Sequence, residues 1–184
     1  MKRERFEAPI TVELNNEIVT KAKAFANAVV NTVDYSDSNQ RVVSKIRHDH
    51  FISKLGEEAA KQVFIQRGNK VIGPDYSVYT GKEKNWDSDL LVNGTPLAVK
   101  TQTKSNARKY GLSWTFQQSA LRRDPILDDP EAWVCFVECD ERNAYRCTVY
   151  PPKKIKDLHF KSPRLQHLLG KKQVVYANDL KKLR

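Results

Sequence analysis

No apolar run in this 184-residue chain approaches the roughly 18 residues needed to cross a bilayer, so no membrane partner is expected. The basic start Met1 to Arg5 leads into Glu7 and Pro9 instead of the apolar core of a secretory signal, which predicts a cytoplasmic protein. Cysteine is scarce as well: Cys135, Cys139 and Cys147 are odd in number, form no Cys-x-x-Cys pair and fall in strand-like segments, which argues against a disulfide framework. A zinc site built from them with His159 would lack the usual paired spacing, so buried thiols are expected. Seven glycines and eight prolines are too few for a low-complexity chain. No phosphate-cradling glycine loop and no Ser-His-Asp arrangement is evident, so nucleotide hydrolysis, acyl transfer and a nucleotide cofactor are set aside. Acidic residues are in deficit, 22 against 32 Lys and Arg, and the resulting net charge of +10 favours a polyanionic partner.

What is present is a foldable chain, 40% hydrophobic and without internal repeats, of a length suited to one domain. Its expected parts are a helical extension over 1–43, a core over 44–150 and a basic segment over 151–184. Apolar residues recur at helical spacing from a Thr11 N-cap through Leu14, Ile18, Ala22, Phe25, Val29 and Val33, predicting a helix that ends near Asp34. Residues 44–67 predict a second long helix closed by Gly68. Strands are predicted over 70–73, 86–92, 96–103, 132–139 and 144–150, and a helix over 112–122. Asn93-Gly94 between two of these runs is a strong hairpin signal. The order predicts an α/β fold with a mixed sheet and helices packed on it.

Period-two alternation places Asp87, Asp89 and Leu91 on one face of the first hairpin strand, and Ala98, Lys100 and Gln102 on one face of the second. Asp89 then falls opposite Ala98 or Lys100. A carboxylate beside a lysine inside a sheet is in the first instance a structural ion pair. The segment also resembles the core of the PD-(D/E)XK, or restriction-endonuclease-like, nuclease superfamily. Asp89 matches the first acidic residue, and Val99-Lys100-Thr101-Gln102 matches the end of the Glu-Val-Lys-Thr-Gln string. Glu57, Ala60, Phe64 and Gly68 follow the spacing of the family's first helix. The resemblance covers roughly residues 44–150 and implies a restriction-endonuclease-like sheet flanked by helices.

It further implies a Mg²⁺-dependent DNA endonuclease, with Mn²⁺ as a substitute. Phosphodiester hydrolysis needs an activated water and charge stabilisation at the phosphate, and Mg²⁺, which asks for only one or two carboxylates, supplies both. By resemblance, Asp89 is the central metal ligand, the Val99 carbonyl another, and Glu57 reaches the metal from the helix, with Glu58 as its rival. Lys100 orients the water, and Gln102 touches the phosphate. The departure is Ala98, where the family carries an acid. The only acidic-x-Lys string in the chain, Asp179-Leu180-Lys181, lies in the C-terminal segment, and Pro74-Asp75 has no partner motif. Ala98 therefore implies an inactivated nuclease, a carboxylate that has moved to Asp87, Glu57 or Glu58, or a DNA- or RNA-binding module that has lost catalysis.

Residues 100–123 carry six basic side chains and no acid, interleaved with amides, hydroxyls and aromatics. Such a stretch contacts phosphates through cations and bases through amides, and Lys104, Arg108, Lys109, Ser113 and Gln117 are the expected DNA contacts. The last 34 residues hold a net +8, leaving +2 for the rest. His48-Asp49-His50 reads as a surface or DNA-facing helix segment. The apolar stripe of the first helix would complete the core or pair two copies into a homodimer.

Overall fold

The structure is a computed structural model, and it describes residues 6–30, 42–79, 88–120, 122–143 and 145–180. Trp86, Asp87, Val33, Asp34 and the last four residues lie outside that set.

A seven-stranded mixed sheet organises the chain. Its strands are β1 (Ile10–Glu13), β2 (Val71–Ile72), β3 (Leu90–Val92), β4 (Thr95–Thr103), β6 (Trp133–Asp140), β7 (Arg146–Val149) and β8 (Lys153–Lys154). The path runs β1-β7-β6-β4-β3-β2, with β8 also on β6. Only the central β4–β6 pairing is parallel. β5 (Ser113–Gln117) and β9 (Lys172–Tyr176) form a separate antiparallel ribbon. Four helices accompany them among the described residues: α1 (Asn16–Val29), α2 (Val43–Gln66), α3 (Lys104–Tyr110) and α4 (Ala177–Leu180).

The hairpin forms as its turn chemistry demands. Val92 pairs Thr95 across Asn93 and Gly94, whose φ values of 50° and 80° are the left-handed pair that a two-residue turn matching the strand twist needs. Helix α2 matches the predicted helix and closes in a Schellman arrangement, with Gly68 N–H donating to Ile65 O and Asn69 N–H to Phe64 O.

Two predicted helices are corrected. Thr11 is not an N-cap: Ile10–Glu13 is a strand paired with Arg146–Val149, because Val12 and Leu14 alternate inward at period two. The cap is Asn15, whose side chain accepts from Ile18 N–H at 2.9 Å. The 112–122 segment is likewise strand β5, since Trp114 and Phe116 both turn inward and its backbone pairs with β9. The helix in that neighbourhood is the shorter α3, capped by Thr103.

β4 divides the core in two. Leu97 and Val99 join Leu55, Ala59, Ala60 and Val63 of α2 on one face. Ala98 turns to the other, where Trp114 and Phe116 of β5 pack with Val134 and Phe136 of β6 and Val175 of β9. Residues 6–30 belong to the first layer and residues 151–180 largely to the second. Helix α2 lies so close to β4 that a Cβ on Gly56 would fall inside the Thr101 hydroxyl, which explains glycine there. The three cysteines are buried free thiols.

Candidate active site

β3 begins at Leu90, and past its Leu97 partner β4 continues with β6 on one side only. Leu90 pairs Leu97, and beyond that point the edge of β4 has lost its strand partner. Asp89 fills the gap: its Oδ2 accepts the Val99 backbone N–H at 2.7 Å. This satisfies an exposed ladder donor and fixes the carboxylate at the mouth of a cleft of about 940 Å³.

Two acid–lysine pairs flank it. On the α2 side, Glu57 is 2% exposed; its Oε2 accepts from Lys54 Nζ at 2.5 Å and its Oε1 from Ser53 Oγ at 3.1 Å. Lys54 lies over the Phe25 and Tyr76 rings, at 4.9 and 5.6 Å from their centroids. On the cleft side, Lys100 Nζ donates to Asp124 Oδ2 at 2.6 Å and sits 4.8 Å from the Phe116 ring centroid. Asp124 is pinned in turn, because its carboxylate accepts Gln117 N–H at 3.2 Å while its own N–H donates to Gln117 O.

The electrostatics follow from burial. Loss of solvation, and then the neighbouring charge of Asp89, push the Glu57 carboxyl up to about 8 against the pull of Lys54 and Ser53. Loss of solvation also raises Asp89, opposed by the Val99 N–H, Lys54 and Lys100 and reinforced by the Asp124 charge. The site thus resists a second negative charge beside Asp89. Among the described residues no three His, Cys, Asp or Glu side chains form a ready-made metal cage. A hard cation that keeps several waters needs only one or two carboxylates; Asp89 lines the cleft, whereas both oxygens of Glu57 are taken by Ser53 and Lys54.

The sequence-derived candidates separate into three groups. Asp89, Ala98, Val99, Lys100 and Gln102 all line the cleft. Gln102 Oε1 accepts the Ser113 N–H at 3.0 Å, tying β4 to β5. Glu57 stands behind Asp89, whereas its rival Glu58 accepts from Tyr76 Oη at 3.0 Å and faces a different hollow with Lys21 and Lys61. Asp75 binds Ser77 N–H and Tyr79 Oη away from the cleft.

The basic stretch is dispersed. Ser113 reaches the cleft wall, but its hydroxyl is committed to Gly111 O. Gln117 contributes its backbone to Asp124. Lys104 is drawn to Asp140 at 2.8 Å in a small hollow beside β7, and Arg108 and Lys109 are exposed on α3 outside the cleft lining. The basic side chains that do line the cleft come from distant parts of the chain: Lys45 and His48 on α2, Lys100 on β4 and Lys172 on β9. Burial and the charge of Lys45, with further repulsion from Lys100 and Arg122, hold Lys172 below its ordinary value, although Asp49 opposes them. Sequence reading missed Lys54, Asp124 and Lys172. No family model, curated protein or solved structure matches this chain.

Proposed function

We propose that this protein is a Mg²⁺-dependent DNA endonuclease with a restriction-endonuclease-like core, acting in the cytoplasm. The observation that carries the reading is that Asp89 and Lys100 line one cleft together with Lys45, His48 and Lys172. Asp89 would hold the cation from the cleft wall, and Glu57 could join it only by giving up Lys54 and Ser53. When bound, the cation neutralises phosphate charge and makes a coordinated water more acidic.

The chain's own residues do the rest. Lys45 and Lys172 bind the flanking phosphates. Lys100 holds its ammonium against the attacked phosphate and stabilises the charge that builds there. A water oxygen bonds to phosphorus while the bond from phosphorus to one sugar oxygen breaks. One proton leaves the water and one is taken up by the departing sugar oxygen. Cutting both strands of a duplex by one centre asks for two copies of the chain, and the solution mass with and without DNA tests that homodimer.

Ala98 favours a second reading, a DNA- or RNA-binding module without catalysis, because it removes one carboxylate from the cleft. Incubation with linear, nicked and branched DNA and with RNA, in Mg²⁺, Mn²⁺ or EDTA, separates the two. Metal-dependent DNA fragments support the nuclease. Salt-sensitive retention of intact nucleic acid under every condition, also after Ala98→Glu, supports the module.

A further inference from the structure

The cleft is walled on two sides. Helix α2 supplies one wall with Lys45 and Ser53, and the other is built by Thr115 of β5, the turn residue Pro125 and Lys172 of β9. β4 runs between them and brings Val99 and Lys100 to the lining. The walls stand close, because the charge of Lys45 on one bears on Lys172 of the other, as does that of Lys100 between them. Lys100 itself is recessed: 27% of its side chain is exposed, and its Nζ lies 4.8 Å from the centroid of the buried Phe116 ring.

Size then selects the ligand. The cleft holds about 940 Å³. A B-form duplex, with grooves about 8.5 and 7.5 Å deep, is roughly 20 Å across, and at a rise of about 3.4 Å each base pair fills roughly 1,000 Å³. The cleft therefore has the room of about one base pair, whereas a bond inside a duplex carries a pair on either side of it. One strand alone takes about half that volume per nucleotide, so about two nucleotides fit, one on each side of a single phosphate. The lining agrees with the size. Proteins hold single strands by setting aromatic side chains among cations, and a base is free to stack only when it has left its pair. Trp133 is half-buried in the lining of this cleft, with Lys154 Nζ 5.4 Å from its ring centroid, and the amide of Asn106 lines it too.

We propose that the cleft takes one unpaired strand of DNA, with the bond to be cut lying between two nucleotides at Lys100 and a base stacked on Trp133, and that an intact duplex stays outside. The inference rests on the nuclease reading for its chemistry and narrows the substrate to unpaired stretches. Single strands, flaps and the locally opened segments of a negatively supercoiled plasmid qualify, and a relaxed linear duplex does not.

The test pairs binding with cleavage at one fixed salt concentration, because contacts to the phosphate backbone shift with salt. Fluorescence anisotropy in EDTA compares a labelled single-stranded oligonucleotide with the blunt duplex of the same sequence. The parent chain is expected to bind the single strand at least about tenfold more tightly, and Trp133→Ala to lose about 5- to 100-fold of that affinity with little change for the duplex. Trp133→Phe keeps a ring and with it most of the affinity. Equal affinity of the parent for the two forms overturns the inference, whatever the variants do. Cleavage in Mg²⁺ by the parent and by Ala98→Glu then separates the two claims. Cuts confined to the unpaired part of a flap, with the linear duplex left whole, uphold both. Cuts in the linear duplex as fast as in the flap overturn this inference and leave the nuclease reading standing. A single-strand preference in binding, with no cleavage of any substrate by either protein, sinks the nuclease reading and keeps the cleft as a single-strand site.

Discussion

Asp89 stands between two acid–lysine pairs that differ in their access to solvent. Glu57 and Lys54 are little-exposed residues of α2, with 3% and 12% of their side-chain surface open, whereas Asp124 and Lys100 line the cleft. The same two residue types thus serve opposite ends. In the sealed pair, lost solvation sets the properties of the acid, and a substrate phosphate has no route to the lysine. In the open pair, the lysine can exchange its carboxylate for another anion. Charge and burial together, more than residue type, mark Lys100 as the chemical partner of Asp89 and Lys54 as its support.

Breaking the open pair has the largest expected effect. Lys100→Ala should lower DNA cleavage about 100- to 1,000-fold in single-turnover assays, the loss typical of removing one charge-stabilising donor, while the melting temperature moves little. A variant that cuts at the parent rate would place the chemistry elsewhere. Next comes the housing of the sealed pair. Gly56→Ala drives a Cβ into Thr101 and should cost about 2 kcal/mol, read as a lower urea midpoint at constant slope.

The sealed pair also sets a pH dependence. The Glu57 carboxyl sits at about 8 in the fold against 4.5 for an ordinary glutamate. Between those values the native protein holds a proton that the unfolded chain has released, so the metal-free protein loses stability as pH rises from about 4.5 towards 8. Glu57→Gln should flatten that slope and raise the melting temperature at pH 8 relative to the parent. The smallest effect sharpens the description of the cleft. Lys45→Ala and Lys172→Ala should each reduce the salt dependence of DNA binding by about one phosphate contact, a change of about 0.9 in the log–log slope, and Lys104→Ala should change it less.

Much of this was legible where the signal is local. Asn93-Gly94 and the alternation through Leu97, Val99 and Thr101 located the hairpin and the two faces of β4, and with them Asp89 and Lys100 in the lining of one cleft. Glu57 was legible from its place in α2. The failures share a cause. Ile10–Glu13 and Ser113–Gln117 are short strands whose inward residues also satisfy helical spacing over a few positions, and only their pairing with β7 and β9 decides the matter. Asp124 and Lys172 reach Lys100 because the β5–β9 ribbon folds back over the sheet, a long-range arrangement that a reading of neighbouring residues does not carry. The basic stretch misled for the converse reason. Lys104, Arg108 and Lys109 are near Lys100 in sequence, but α3 brings only Asn106 to the cleft lining, and Lys104 pairs with Asp140.

The central claim, that Asp89 anchors a cation-dependent phosphodiester-cleaving centre, is tested most directly by comparing the parent chain with Asp89→Asn on plasmid DNA in Mg²⁺ and in EDTA. The account predicts fragments from the parent in Mg²⁺ alone and none from Asp89→Asn, whose asparagine removes the charge a cation requires. Cleavage by Asp89→Asn equal to that of the parent, or intact plasmid in Mg²⁺ from both the parent and Ala98→Glu, would contradict it.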